Sequence, residues 1–414
     1  MEALSVQGLH DLLAGLINGI SARVGLGKLL FNLADFQFKN YKTIIMVTLI
    51  LTAFFAFGAT QIQMQTDLSE EMPEDMPSIV LQKRISSKFS GEDMIIIAVR
   101  LDPSTDTKNP PSDIRDPRVI ESVAALQEQL SEETSIESVQ SVASLFQMGI
   151  PNTLDGVKNT LSYVPQSSQF FNRDYSATLI YASTTLGGGE EDVKEVTSMM
   201  QMNIDSVPKP AGVKYSITGN APIQDQLLTV LQEDVIYTTS IAAIIILLLL
   251  FVLQRSITKG FLVFVPLPFG LIWAFGLMGW LNIPLSVVTI SMGPLALGLG
   301  VEYGVFFVSR YQEERSAGRT QLESLRVAVP GIGTAVTSSA ATTIVGFMAL
   351  TMASMPMIQH LGVTLALAIF CILISAIIFN PCVVLLEENI ESRRSSNAHA
   401  FPGRRKLGEI NKRV

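Results

Sequence analysis

The chain reads as long apolar runs interrupted by one long polar stretch. A helix that crosses a bilayer needs about 20 consecutive, mostly apolar residues. Six runs meet that length, at roughly 42–61, 235–254, 260–281, 286–309, 330–353 and 358–386. Between the first and second lies a polar segment, residues 62–234. Short connections join the last five runs. The pattern predicts one spanning helix, a large inserted domain, and a bundle of five further helices.

Inside the polar segment the period changes. "GEDMIIIAVRLD" (91–102), "YSATLIYASTTL" (175–186) and "GVKYSITG" (212–219) are β-branched runs flanked by turn residues, which predicts strands. "DPRVIESVAALQEQLSEE" (116–133) and "EEDVKEVTSMMQMNIDSV" (190–207) have helical periodicity, and "SIVLQKRISSKF" (78–89) is a shorter candidate. Strands alternating with amphipathic helices predict an α+β sandwich, with helices on one face of a small sheet. The expected fold class is therefore an α-helical membrane protein of six transmembrane helices with an α+β domain inserted between helices one and two.

Two flanking segments complete the organisation. In residues 1–39, Leu9, Leu12, Leu13, Leu16, Ile17 and Ile20 share one face of a helix too interrupted to span. That pattern predicts an amphipathic interfacial helix, with packing against the bundle as the alternative. The expected divisions are then 1–39, a first span at 40–61, the domain at 62–234, the bundle at 235–386 and a tail at 387–414. The tail is polar and basic, which predicts disorder close to anionic headgroups.

Charge orients this layout. Arg255 and Lys259 lie between helices two and three; Arg310, Arg315, Arg319 and Arg326 lie between four and five. Arg393, Arg394, Arg404, Arg405 and Lys406 follow helix six, and Lys39 and Lys42 precede helix one. The opposite loops, "LNIPLS" and "ASMPMIQH", hold no Lys or Arg. The positive-inside rule then predicts cytoplasmic termini and an extracytoplasmic domain. That domain carries 26 Asp+Glu against 12 Lys+Arg, a net of −14, which disfavours nucleic-acid partners.

Overall composition agrees: 48% of residues are hydrophobic and 16% charged, against about 25% charged in soluble domains. Cys371 and Cys382 would sit roughly 16 Å apart on one helix, too far for a disulfide. His10, His360 and His399 are scattered, so no metal site is expected. The first long apolar run begins near Tyr41 without a small-residue cleavage site, so no cleavable signal peptide is expected. No cofactor motif is present either.

One stretch carries chemistry. "GLGVEYGVFFVSRYQEER" (298–315) places Glu302 within the fourth apolar run. A charge at the centre of a membrane helix costs about 2.5–3.5 kcal/mol on insertion scales. By rise per residue Glu302 lies roughly 10 Å inside the basic end of its helix. The fifth run enters from that side at Pro330, and its "TAVTSSAATTIVG" brings Ser338, Ser339, Thr342 and Thr343 to a similar depth as two i,i+4 pairs. A carboxyl beside hydroxyls suits a buried proton site, because hydroxyls hydrogen-bond both protonation states. Tyr303 adds a phenol that either relays protons or packs. Gly298, Gly300 and Gly304 would allow close helix approach. The hydroxyls have a purely structural alternative as packing groups. "GLGVEYG" looks superficially like a nucleotide loop but follows no strand-and-turn unit.

These residues resemble the resistance-nodulation-division superfamily of transporters, in its mycobacterial-membrane-protein-large and hydrophobe/amphiphile-efflux branch. Members carry a "GxGxDYxxxxxxRxxEE"-like run in the fourth helix, and Glu302 and Tyr303 take the acid and tyrosine positions. "VTSSAATTIVGFMALTMASMPMIQHLG" (336–362) resembles the family's fifth helix, and "TDLSEEMPEDMPSIVLQKRISSKFSGED" (66–93) its entry into the porter domain. The resemblance implies an extracytoplasmic porter-like domain, a proton relay at Glu302, and transport of hydrophobic or amphiphilic molecules such as lipids. Two departures stand out. Glutamate replaces the usual aspartate, and this chain has one copy of a unit that full-length members carry twice. The resemblance therefore implies a homodimer with two equivalent Glu302 sites, as in half-size archaeal forms.

The expected function is ion-coupled secondary transport, with protons as the coupling ion. Alternatives are a SecD/SecF-like accessory of protein export, whose pattern favours a small residue and asparagine after the acid, and a sterol-sensing-like lipid sensor or scaffold. An enzyme is not expected, since the polar segment shows no nucleophile elbow or metal cluster.

Overall fold

The computed structural model describes residues 6–66, 71–73, 76–81, 84, 94–102, 104, 110–146, 149–184 and 190–400, with the backbone alone at 6–24, 190–191 and 393–400. Two compact units result: Thr66–Gln232, and the helices before and after it.

Helix α1 runs from Val6 to Ala59 and leaves helical dihedrals only at Asn40, with φ −121° and ψ 20°. That kink falls at the expected junction between an N-terminal helix and the first span. The expected face Leu9–Ile20 lies outside the described side chains. From Leu30 the helix packs on the bundle: Leu30, Ala34 and Gln37 are buried, and Arg326 grips Asp35 through two hydrogen bonds of 2.7 and 3.1 Å.

The α+β unit is built on β1 (Met94–Leu101), β2 (Ile136–Gln140), β3 (Ala177–Thr184) and β4 (Val213–Gly219). The sheet order is β2–β3–β1–β4, antiparallel throughout. Ile97 pairs with Ile180 on one side and Ile217 on the other. Alternation decides the faces: Ile95, Ile97 and Val99 of β1 and Ile180 and Ala182 of β3 are buried, as a period of two requires.

Helices α2 (Pro117–Ser131), α3 (Leu154–Ser162) and α4 (Glu190–Ser206) accompany the sheet. Asp116 caps α2 by accepting from the Arg118 N–H, and Pro117 occupies the first turn, where no backbone donor is needed. Val119, Val123, Leu126 and Leu130 form its buried stripe, and Val193, Val196, Met200 and Ile204 that of α4. Each such side chain contributes about 1.5–3 kcal/mol by leaving water. The sequence β1–α2–β2, β3–α4–β4 is two interlocked split βαβ units.

Two of these elements escaped the sequence patterns. Strand β2 holds only Ile136 and Val139 as apolar residues, and its register shifts between Ile136 and Ser138. Helix α3 has nine residues and starts from the Thr153 cap rather than from an apolar run. Of the 78–89 candidate, the described backbone is helical at 78–81 and 84, and the rest lies outside the described residues.

The helical unit continues with α5 (Asn220–Gln254), α6 (Ile257–Phe264), α7 (Pro266–Trp280), α8 (Met292–Ser316), α9 (Gln321–Met348), α10 (Pro356–Ile378) and α11 (Asn380–Ala400). Counted as continuous apolar segments among the described residues, six are long enough to span a membrane. Several boundaries differ from expectation. The expected third helix is broken at Val265–Pro266, where proline lacks the N–H that continues a helix. The fifth begins at Gln321, not Pro330, because Thr320 and Glu323 form a capping box. Pro330 therefore sits inside α9. The sixth is broken at Phe379, and backbone helix continues to Ala400 where a disordered tail was expected. A two-residue parallel pairing joins Met64–Gln65 to Leu285–Ser286.

Candidate functional site

Helix α8 presents two chemically different sides. Leu295, Leu299 and Phe306 point out of the unit, 38–52% exposed, and Glu302 shares their side. Tyr303, one residue or about 100° further round, is buried with Gly300, Gly304, Phe307 and Val308. Glu302 and Tyr303 therefore serve different surfaces.

The hydroxyl group nearest Glu302 is Ser339, whose Oγ donates to Glu302 Oε1 at 3.4 Å, a long bond by ordinary criteria. The other three bind their own helix. Ser338 Oγ donates to Thr334 O at 2.9 Å, Thr342 Oγ1 to Ser339 O at 2.7 Å and Thr343 Oγ1 to Ser339 O at 3.1 Å. The expected ladder is thus one hydroxyl in contact and three in reserve on the same helix. Rotating a Ser or Thr side chain from a backbone carbonyl to another acceptor exchanges one modest bond for another.

Tyr303 stands at a cavity of about 20 Å³, lined also by Phe307, Val329, Gly333, Ile377 and Pro381 among others. The three expected packing glycines divide. A Cβ on Gly300 would meet Ile372 and Leu267, and one on Gly304 would meet the Val263 carbonyl at 2.6 Å. A Cβ on Gly298 would meet nothing within 4 Å, so of these three only Gly300 and Gly304 sit at a close helix approach within this chain. Sequence reasoning missed Gly58, Gly276 and Gly279, where α1 and α7 come together backbone to backbone. The small residues of "AFGLMGW" (274–280), Gly276 and Gly279, were the available signal.

Beyond Glu302, the basic end of α8 is tied down by ion pairs. Tyr311 donates to Glu388 Oε2 at 2.6 Å and Arg315 Nε to Glu388 Oε1 at 2.7 Å. Glu314, nearly buried, is held by Arg310 at 2.7 Å and Arg319 at 2.5 Å. Glu388 lies 73 residues from Arg315, and no local pattern marked it. Cys371 and Cys382 are free and buried. Among the described residues no group of three His, Cys, Asp or Glu side chains could hold a metal ion.

A bundle of helices of which six, among the described residues, are long and apolar enough to cross a membrane defines a multi-pass membrane protein. Residues 71–408 match the MMPL family. A membrane protein of Methanocaldococcus jannaschii, MJ1562, is 34% identical over 369 residues, covering 88% of this chain and 95% of its own length. The siderophore exporter MmpL5 of Mycobacterium tuberculosis is 25% identical over 241 residues, 55% of this chain and 24% of that protein. The apo-petrobactin exporter of Bacillus anthracis is 23% identical over 232 residues, 52% of this chain and 29% of its own. The chain belongs to the MMPL family, a family of membrane transport proteins, and it spans about a quarter of the length of these two exporters.

Proposed function

We propose that this protein is a secondary transporter that uses proton entry to export a hydrophobic or amphiphilic molecule. Glu302 is the protonatable group, with Ser339 as its direct partner and Ser338, Thr342 and Thr343 as alternates. The basic end of the bundle faces the cytoplasm with both termini, and the α+β unit lies outside. The observation that carries the reading is the position of Glu302: an acid within an apolar helix, on an outward side of α8 and in contact with a hydroxyl of α9.

Two physical arguments support it. Inward movement of one elementary charge down 100 mV supplies about 2.3 kcal/mol, enough to shift a two-state population severalfold. A carboxylate turned toward hydrocarbon is costly, and such groups face protein or water. A second copy packed on the exposed faces of α8 and α9 meets that requirement, bringing two Glu302 sites together in an isologous dimer. The exporters of siderophores among the relatives fit an amphiphilic cargo.

The test is transport of a fluorescent phospholipid analogue in proteoliposomes under an imposed pH gradient, with a sodium gradient in parallel. Glu302→Gln keeps volume and hydrogen bonding but removes titration, and it is expected to abolish coupled transport in a folded protein. Glu302→Asp is expected to retain part of it. Full transport by Glu302→Gln excludes the relay, and a response to sodium alone changes the ion.

A further inference from the structure

Pro381 leaves a carbonyl without its helical partner. In an unbroken helix the Ile377 carbonyl accepts from the N–H four residues on, and proline has none. Gln37 of α1 supplies the donor from another helix: its Nε2 reaches Ile377 O at 2.8 Å and Ile378 O at 3.3 Å. Gln37 is 0% exposed, and its Oε1 has no hydrogen-bond partner among the described residues.

The same is true of Asn380, the residue before the proline. It too is 0% exposed, and neither Oδ1 nor Nδ2 has a hydrogen-bond partner among the described residues. Buried polar atoms in native proteins find partners in protein or water. A water here gains both an acceptor and a donor from the asparagine alone. Ile377 and Pro381 also line the cavity of about 20 Å³ at Tyr303, and a water needs about 10–15 Å³ of such space. Tyr303, next to Glu302 in sequence, and the proline break at Ile377 and Pro381 therefore border one small space, and Asn380 and Gln37 flank that break.

We propose that Asn380 and Gln37 hold water at the α10–α11 break, and that this hydrated step conducts the coupling proton from the Glu302–Tyr303 position toward the basic end of the bundle. The proposal rests on the proton-coupled reading of Glu302. The proton leaves the Glu302 carboxyl, which becomes a carboxylate. Each phenol or water along the chain takes one proton and gives one up, and the last water delivers it to the aqueous phase. Tyr303 ends as it began. The two amides do not titrate; they are positioning residues that keep water in an otherwise apolar wall.

The test measures proton flux of the full chain in proteoliposomes containing pyranine, after an imposed pH jump. Asn380→Leu removes the polar group at nearly constant volume and dries the step, whereas Asn380→Ser keeps a hydrogen-bonding group and leaves room for water. Flux is expected to fall about tenfold, a barrier change of about 1.4 kcal/mol, in the leucine variant and to be largely retained in the serine variant. A packing role for Asn380 reverses that order, since serine leaves the larger void. Leucine equal to or faster than serine overturns the proposal. If the leucine variant does not fold, Asn380→Val is the dry substitution. Glu302→Gln runs alongside: its loss of flux with wild-type flux in the leucine variant rejects this step and keeps the acid, whereas wild-type flux in Glu302→Gln rejects both.

Discussion

The two units treat the same kinds of side chain in opposite ways. In Thr66–Gln232 the aliphatic residues of sheet and helices turn inward until Ile95, Ile97, Leu126 and Ile180 are fully buried, while ion pairs cover the outside. In the helical unit Ile236, Ile245 and Val252 stand 59–74% exposed, while Gln37, Asn380 and Ser375 are fully buried. One unit is organised against water and the other against hydrocarbon. Burial of apolar groups sorts the first unit; in the second, buried polar groups tie helices together, as Ser375 does by donating to Pro266 O at 2.7 Å, because no hydrophobic force sorts side chains between lipid and protein.

Four measurements break or sharpen this contrast, taken from the largest effect down. Gly279→Leu drives a side chain into the Gly58 carbonyl, and it is expected to prevent accumulation of folded protein, read by size-exclusion in detergent. Gly298→Leu, with open space around it, is expected to give a normal profile. Equal behaviour of the two would remove the helix-approach argument.

Next, Leu126→Ala in the α+β core should cost about 2–5 kcal/mol, read as a lower midpoint for that unit in denaturant. Loss below about 1 kcal/mol would mean that the helix does not cover the sheet as described.

Third comes the pH response of the α+β unit. Burial alone would raise the Asp113 carboxyl, but hydrogen bonds from the Arg115 side chain and backbone and from Lys158 outweigh it and hold it at about 2. A depressed folded-state pKa stabilises above the unfolded value of 3.8 and ceases to as pH falls through about 2. Stability should therefore drop by about 2 kcal/mol across that window, and Asp113→Asn should flatten the profile there. An unchanged slope in the variant would assign the acid sensitivity to other carboxylates.

Smallest of all, Ile245→Ala on the outward side of α5 is expected to shift stability in lipid by no more than about 0.5 kcal/mol. A core-sized loss would place protein rather than lipid on that side.

Legibility in the sequence followed the same divide. Strands β1, β3 and β4 and helices α2 and α4 were readable because water imposes periods of 2 and 3.6 on half-buried elements. Strand β2 was not, since two apolar residues in an edge strand make no pattern. The six apolar segments were plain, but their ends were not. Capping by Thr320 and Glu323 carried α9 outward past Pro330, and Pro266 and Pro381 split two spans. Glu302 and Tyr303 could be named from the motif, and the family resemblance is borne out by the match to residues 71–408. Glu388 and Gln37 could not, because their partners lie 73 and 340 residues away.

By itself, then, the sequence determined the count of apolar segments, the periods of most α+β elements, the family and the presence of an acid within the fourth apolar segment. Each of these is a property of composition, local period or a contiguous motif. Only the tertiary structure decided that Glu302 and Tyr303 serve different surfaces, that Ser339 alone of four hydroxyls reaches the acid, and that a glutamine of α1 replaces the donor Pro381 lacks. The reason is physical. A helix apolar on every side carries no signal of which side its neighbours will take, so those choices rest on packing between residues far apart in the chain.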